Sequence, residues 1–227
     1  MLISVHLPKT AGSSFSAALG EKLGSSLLLD YGDQPINTPS HERNTGAFRK
    51  SIENFDNSSR FKGIKCIHGH FLPIKYLLLS DKLDIQFITW MRNPVERLLS
   101  HYYFWKRTFN SETAPPLHRK FMEEKWSIER FCLGPELKNL YYQFLYGFPL
   151  EYFALIGITE SYEEDLSYFS SRFLGYHVEM KRLNVGKTTN HSYEIPERLR
   201  NKIAHFHSKD MELYERALDM KRMRSAI

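Results

Sequence analysis

The sequence predicts an α/β fold in which helices flank a central, mostly parallel β-sheet. Short runs rich in apolar and β-branched residues alternate along the chain with segments whose apolar residues recur at helical spacing. Such alternation is typical of parallel strands joined by crossover helices. The 227 residues contain no internal repeat, low-complexity tract or clear linker, so we expect a single domain spanning residues 1–227.

The chain begins with a strand that leads into a helix. Residues 2–7 form an apolar run typical of a buried strand. Apolar residues then recur at helical spacing from residue 13 or 14 to Leu23, and Gly24 is a natural helix terminator. These signals predict one strand–loop–helix unit, with the loop over residues 8–12.

Three further strands are predicted at residues 63–67, 85–91 and 153–158. Directly after the run at 85–91, Asn93 is a good N-cap, Pro94 suits the first helical position, and Glu96 suits the third. A helix is therefore expected to begin at this point.

The remaining segments complete the predicted fold. Ser161 and Glu164 predict a capping box at the start of the helix that follows the last strand. Residues 196–218 are predicted to be helical. Residues 30–60 are rich in Pro, Gly, Asn and Ser, and we expect a long loop with little regular structure.

Composition restricts the class of protein. The formal net charge of +5 favours an anionic ligand, but simple solubility explains it equally well, and the charge is too dispersed to indicate nucleic acid binding. Two cysteines form no disulfide framework and no metal quartet. No apolar run approaches the roughly 20 residues that span a bilayer, and no signal peptide is visible, so we expect a cytoplasmic protein without a transmembrane segment.

The loop after the first strand, "HLPKTAGSSF", has the parts of a phosphate-binding site. Gly12 lets the backbone approach a ligand, hydroxyl groups follow, and Lys9 adds a full charge at the N-terminus of a helix. It is not a Walker A loop, because Lys9 precedes the glycine and no Gly-Lys-Ser/Thr follows a strand near the N-terminus. A metal-free anion site and an ordinary capped turn both explain the pattern.

A second segment strengthens the interpretation as an anion site. "RNPVERLLSHY" places Arg92 at the end of a predicted strand and Ser100 on the next helix. Together with "HLPKTAGSSF" it resembles the donor-binding signature of sulfotransferases that use 3′-phosphoadenosine 5′-phosphosulfate (PAPS). The resemblance is to the carbohydrate branch that contains heparan sulfate 2-O-sulfotransferase, and "CIHGHF" and "GITESYEEDL" resemble that branch as well. It implies a P-loop-like three-layer fold and transfer of a sulfuryl group from PAPS to a hydroxyl. The lack of a Walker A loop favours a reaction that needs no metal, and the lack of a long apolar run favours a soluble enzyme.

The resemblance also implies which residues bind the donor. The 5′-phosphosulfate would be lined by the first loop, and the 3′-phosphate would be held by an arginine, which suits forked hydrogen bonding, and a serine. The residues that match the family's donor site are Lys9, Thr10, Ala11, Gly12, Ser13, Ser14, Arg92 and Ser100. Taken singly, Arg92 could form a surface salt bridge and Ser100 could be an ordinary exposed helix residue.

The catalytic base implied by the resemblance lies in a His-Gly-His element. Here that element is His68-Gly69-His70, with His70 the first candidate and His68 the second. A histidine can accept a hydroxyl proton near neutral pH, so the acceptor hydroxyl would attack sulfur in line while Lys9 stabilises the departing phosphate. Two ordinary loop histidines are the alternative.

Two parts of the chain support weaker expectations. Lys187 and Thr188 lie where the family places a late loop over the nucleotide, although a polar turn explains them equally well. The acceptor cannot be transferred from the family, because this chain lacks the membrane anchor and the longer acceptor-binding region of the animal enzymes. A saccharide or glycolipid hydroxyl is the leading candidate. A nucleotide-dependent kinase and a non-catalytic module that binds nucleotide or anionic glycan are the alternative functions.

Overall fold

The computed structural model describes residues 1–175 and 193–225 of the chain. Its strands form one five-stranded sheet. The strands are β1 (Leu2–Val5), β2 (Leu27–Asp30), β3 (Cys66–Gly69), β4 (Gln86–Met91) and β5 (Phe153–Ile158).

All pairings in this sheet are parallel, and the strand order is β2-β3-β1-β4-β5. The first strand lies at the centre, where Val5 pairs with Gly69 on one side and with Thr89 on the other. Because parallel strands end at the same edge, the loops after β1, β3 and β4 meet there. The predicted segments that carry Lys9, His70 and Arg92 leave the sheet at this edge.

Helices cover both faces of the sheet. Within the described residues they are α1 (Gly12–Leu23), α2 (Ser40–Asp56), α3 (Pro94–Thr108), α4 (Pro116–Glu123), α5 (Ile128–Leu133), α6 (Leu140–Phe144), α7 (Tyr162–Phe169), α8 (Glu197–Phe206) and α9 (Ser208–Ser225). Asn93 caps α3 as predicted, since its side chain accepts hydrogen bonds from the backbone N–H groups of Val95 and Glu96.

The core divides into two clusters, one on each face. The smaller cluster packs Phe15 of α1 and Phe169 of α7 against the face that carries Trp90. The larger cluster covers the opposite face, where Ile3 and Ile67 meet side chains of α3, α5, α6 and α9. The prediction of a P-loop-like, three-layer α/β fold with a parallel sheet flanked by helices is therefore confirmed.

The prediction of a loop over residues 30–60 was wrong, because most of this segment is the helix α2. Its buried residues recur at helical spacing but are mostly polar or small: Arg43, Ala47, Ser51 and Asn54. Hydrogen bonds rather than apolar contacts secure this face, since Asn54 donates to the carbonyl oxygen of Lys75 at 2.8 Å. An apolar periodicity could not reveal a helix whose buried face is polar.

The predicted capping box at Ser161 and Glu164 is also absent. The side chain of Ser161 makes no capping bond to α7. Lys221 of α9 lies between the two residues, bonding the hydroxyl of Ser161 and pairing with the carboxylate of Glu164 at 2.8 Å. A long-range ion pair has replaced the local motif. Among the residues with described structure, no helix is long and apolar enough to cross a membrane.

Candidate functional site

The loop between β1 and α1 has an unusual backbone. Lys9 and Ala11 both adopt left-handed conformations, each with φ of 67°. This conformation is uncommon for residues other than glycine, and it clusters at ligand-binding loops. Turns that place left-handed residues between right-handed ones direct successive N–H groups toward one point and form anion-binding concavities. The loop is therefore built to expose backbone donors.

The helix that follows leaves its N-terminus open. Ala11 is the N-cap of α1, and no side chain caps the helix. The hydroxyl of Thr10 turns inward and donates to the carbonyl oxygen of Leu7 at 2.8 Å, so it stabilises the loop itself. Ser13 is exposed at the first turn, whereas Ser14 is buried. An anion at this end would meet the positive end of the helix dipole.

Lys9 brings a positive charge to this loop and holds it against α3. Its ammonium nitrogen lies 3.6 Å from the centre of the Phe104 ring, a favourable cation–π contact. Burial, together with the smaller effect of the positive charges of Arg107 and Arg92, lowers the pKa of Lys9 to about 8. Lys9 is thus close enough to each of the two arginines for their charges to disfavour its own.

One face of α3 borders the same loop. Ser100, Phe104 and Arg107 lie four and three residues apart, a spacing that puts them on one side of a helix. Because Phe104 contacts Lys9, this side faces the loop. Ser100 is partly exposed on this side, and Arg107, one turn beyond Phe104, is exposed. Arg92, also partly exposed, lies directly after the last residue of β4.

In the part of the chain that the structure describes, three cations of this site have no carboxylate partner. Within residues 1–175 and 193–225, no carboxylate forms an ion pair with Lys9, Arg92 or Arg107. Arg97, fully buried on α3, is a further positive group that interacts with Arg92, but it also interacts with the carboxylate of Asp210 and so is not counted among these three cations. Clustered cations without counter-charges favour the binding of an anion from solution.

His6 lies across the loop and explains why residue 12 is glycine. A Cβ atom at Gly12 would come within 1.8 Å of Nε2 of His6, so the imidazole occupies the space of the missing side chain. Nδ1 of His6 is 3.0 Å from the hydroxyl of Tyr31, which fixes the ring from the other side. His6 therefore packs against the first residue of α1 and supports the end of the loop.

The three histidines of this region form a stack. The ring of His6 lies 5.1 Å from that of His68 and 4.2 Å from that of His70, centre to centre. His68 is only 1% exposed, and its Nδ1 lies 2.8 Å from the hydroxyl of Ser4. Burial, with a smaller contribution from His70, lowers the pKa of His68 to about 3. His68 is therefore neutral, and it is buried near the carboxyl end of β3.

His70, like His6 and unlike His68, is partly exposed. Its Nδ1 lies 2.6 Å from the carbonyl oxygen of His6. A carbonyl oxygen only accepts hydrogen bonds, so Nδ1 carries the proton and Nε2 of the neutral ring carries a lone pair. Burial lowers the pKa of His70 below its ordinary value, partly offset by the bond to His6. The ring is therefore neutral at pH 7 and able to accept a proton.

The structure thus brings together most of the residues that the sequence singled out. The segments of the first loop, His68, His70, Arg92 and Ser100 all lie at the carboxyl edge of the sheet. Lys187 and Thr188 lie outside the described residues. Within those residues, no group of three His, Cys, Asp or Glu side chains is arranged to hold a metal ion.

Three residues of this site were missed in the sequence. Arg107 could have been found, because it follows Ser100 by seven residues on the same helical face. Tyr31, which bonds His6, lies in the segment interpreted as an irregular loop. Tyr141 bonds the backbone of Arg92 across 49 residues of sequence, a contact that no local pattern reveals.

Comparisons with known proteins give limited information. No protein-family profile and no curated protein matches the chain. Among solved structures, the chain is similar to a sulfotransferase from Alicyclobacillus acidocaldarius, with 16% identity, a TM-score of 0.44 and 94% of each chain covered. It is also similar to a mouse sulfotransferase complexed with PAP, with 14% identity, a TM-score of 0.42, 90% of this chain covered and 62% of that one. At such identities, neither structure says what this chain binds or transfers.

Proposed function

We propose that the protein is a sulfotransferase that moves a sulfuryl group from PAPS to a hydroxyl group of an acceptor. One observation carries the proposal: cations without carboxylate partners among the described residues border an open helix N-terminus, and His70, with an unprotonated Nε2, stacks on the ring of His6 that lies against the same helix start. The first feature suits an anionic nucleotide, and the second suits removal of a hydroxyl proton.

The donor site divides between two loops. Lys9 and the N–H groups at the start of α1 would hold the 5′-phosphosulfate, where the uncapped helix offers donors. Arg92 and Ser100 would hold the 3′-phosphate, since a guanidinium binds phosphate through paired hydrogen bonds. The positive charge of Arg92 contributes to the lowered pKa of Lys9, which supports a site in which both groups bind one nucleotide.

The residues of the site have separate parts in the reaction. PAPS supplies an activated sulfuryl group when bound. His70 would accept the hydroxyl proton on Nε2 as the new bond between the acceptor oxygen and sulfur forms and the bond from sulfur to the 5′-phosphate oxygen breaks. Lys9 would stabilise the charge that collects on that departing oxygen. The products are a sulfate ester and adenosine 3′,5′-bisphosphate.

For the acceptor, we propose a saccharide or glycolipid hydroxyl. Phe144 of α6 contacts the ring of His70 edge-on, with ring centres 6.4 Å apart, so this helix borders the proposed site of proton transfer. Tyr142 and Tyr146, from the same stretch, are 48% and 44% exposed. The ammonium nitrogen of Lys209 lies 4.0 Å from the centre of the Tyr142 ring, so Tyr146 is the ring that would pack its flat surface against the apolar face of a sugar.

Ligand-induced stabilisation tests the donor site. Adenosine 3′,5′-bisphosphate at a hundred times its dissociation constant is expected to stabilise the protein by about 2.7 kcal/mol, measured as a shift in thermal unfolding. Labelled PAPS with EDTA and a panel of hydroxylated saccharides and lipids then tests transfer. Stabilisation and turnover that strictly require ATP and Mg²⁺ would indicate the kinase alternative. Binding without turnover of any acceptor would favour the non-catalytic module.

Donor affinity is expected to depend on pH through Lys9. A lysine is charged below its pKa, so affinity for adenosine 3′,5′-bisphosphate should fall as the pH rises through about 8 and approach a tenfold loss per pH unit above it. The Lys9→Arg variant, charged throughout, should not show the loss. Titration calorimetry from pH 6.5 to pH 9.5, roughly 1.5 units below and above the Lys9 pKa, measures the affinity of the wild-type protein and of the variant. A flat profile for the wild-type protein would contradict a binding role for the Lys9 charge.

A further inference from the structure

Arg92 lies in a turn whose backbone has no partner in the sheet. The last paired residue of β4 is Met91, opposite Ile158 of β5. The N–H and C=O of Arg92 therefore lie beyond the ladder, where they would otherwise depend on water. The guanidinium can be held in one place only if this backbone is fixed by something else.

Tyr141 supplies both missing hydrogen bonds. Its hydroxyl accepts from the backbone N–H of Arg92 at 3.1 Å and donates to the carbonyl oxygen of the same residue at 2.8 Å. The next residue is held in a similar way, because the N–H of Asn93 donates to Oε1 of Glu160 at 2.8 Å. Side chains from distant segments thus replace a neighbouring strand.

Tyr141 is itself rigidly held. Its side chain is fully buried. The carboxylate of Asp210, on α9, accepts from the backbone N–H of Tyr141 at 3.1 Å and from that of Tyr142 at 3.0 Å, so it caps α6 at its first turn. Tyr214, one turn further along α9, hydrogen-bonds Glu160. The C-terminal helix therefore fixes both side chains that hold the turn.

We propose that Tyr141 is a positioning residue for Arg92: its buried hydroxyl fixes the turn so that the guanidinium is placed for the 3′-phosphate, and it thereby determines the preference for adenosine 3′,5′-bisphosphate over adenosine 5′-phosphate. This inference rests on the function proposed above. A positioned guanidinium binds more tightly than one that must be ordered on binding. Because the effect passes through Arg92, it concerns only ligands that carry the 3′-phosphate.

The test is the affinity of Tyr141→Phe for the two nucleotides, measured by titration calorimetry. Loss of the hydroxyl should lower the affinity for adenosine 3′,5′-bisphosphate by about 3- to 10-fold, the range of one or two hydrogen bonds. The affinity for adenosine 5′-phosphate should stay within about twofold of the wild-type value. In an Arg92→Ala background, Tyr141→Phe should cause no further loss, because the group that it positions is gone. Tyr76→Phe, which removes a buried hydroxyl bonded to Asp30 instead, is the matched control and should keep the wild-type ratio.

The outcomes separate the two proposals. If the wild-type protein does not prefer the 3′-phosphorylated nucleotide, the proposed donor site fails. If it does, and Arg92→Ala removes the preference while Tyr141→Phe keeps it or weakens both nucleotides equally, only the positioning role fails. Should Tyr141→Phe not fold, hydrogen exchange in the wild-type protein decides: the amide of Arg92 must be protected, and fast exchange would overturn the inference.

Discussion

Replacing His70 with alanine is expected to lower the rate of sulfuryl transfer by about 10²- to 10⁴-fold while leaving the affinity for adenosine 3′,5′-bisphosphate nearly unchanged. That range is typical for the loss of a general base. The expectation follows from the bond between Nδ1 of His70 and the carbonyl oxygen of His6, which leaves Nε2 free to accept a proton. Turnover with labelled PAPS and binding by calorimetry should be measured on the same preparation.

The pH profile distinguishes a base from a structural ring. Burial lowers the pKa of His70, so under the proposed function the wild-type protein should remain active below pH 6.5, the ordinary value, and lose activity only when the imidazole becomes protonated. Residual activity of His70→Ala should lack this acidic limb. His41→Ala, an exposed histidine on α2, is a suitable control. Unchanged turnover in His70→Ala would remove His70 as the base.

Replacing Lys9 with methionine has the second largest expected effect, a loss of about 10²- to 10³-fold in turnover. This is the range for deleting one preorganised donor to a developing negative charge. Methionine keeps the apolar contact with the Phe104 ring but removes the ammonium group that lies 3.6 Å from it. The loss should be greater in kcat/KM for PAPS than in affinity for the product nucleotide, because the charge on the leaving oxygen is largest in the transition state.

The control for this variant is Lys22→Met. Lys22 lies in the last turn of α1, the helix that follows the Lys9 loop, where it is exposed and far from the open N-terminus. It should retain wild-type kinetics. Equal losses in the two variants would mean that only the overall positive charge matters, and the assignment of Lys9 to the leaving group would then be wrong.

The alternation of strands and helices could be predicted because the strands are short, continuous apolar runs, whereas apolar residues recur every three to four positions in the helices. Residues 153–158 were predicted as a strand and form β5 with those bounds. The strand predicted at 63–67 begins three residues later, because Gly63 has φ of 83° and belongs to a turn. The helix α2 was missed because its buried face is polar, and β2 because it lies at the sheet edge with two of its leucines exposed.

The site could be predicted only where its residues are local in sequence. Lys9 and Gly12 share one loop, and the His-Gly-His element is contiguous, so both are visible as motifs. The contact of Tyr141 with Arg92 depends on how α6 packs under the end of β4. Likewise, the roles of His68 and His70 differ because one ring is buried and the other is not, which two identical residues in a strand cannot indicate.

The fit between His6 and Gly12 has a consequence for how this loop can vary. Since the imidazole fills the volume that a side chain at residue 12 would need, residue 12 cannot gain a side chain while the His6 ring stays in place. A homologous chain with alanine or serine at position 12 needs the side chain at position 6 either smaller or turned away, so the two columns of an alignment should covary. A designed variant that adds a side chain at residue 12 must therefore also change residue 6.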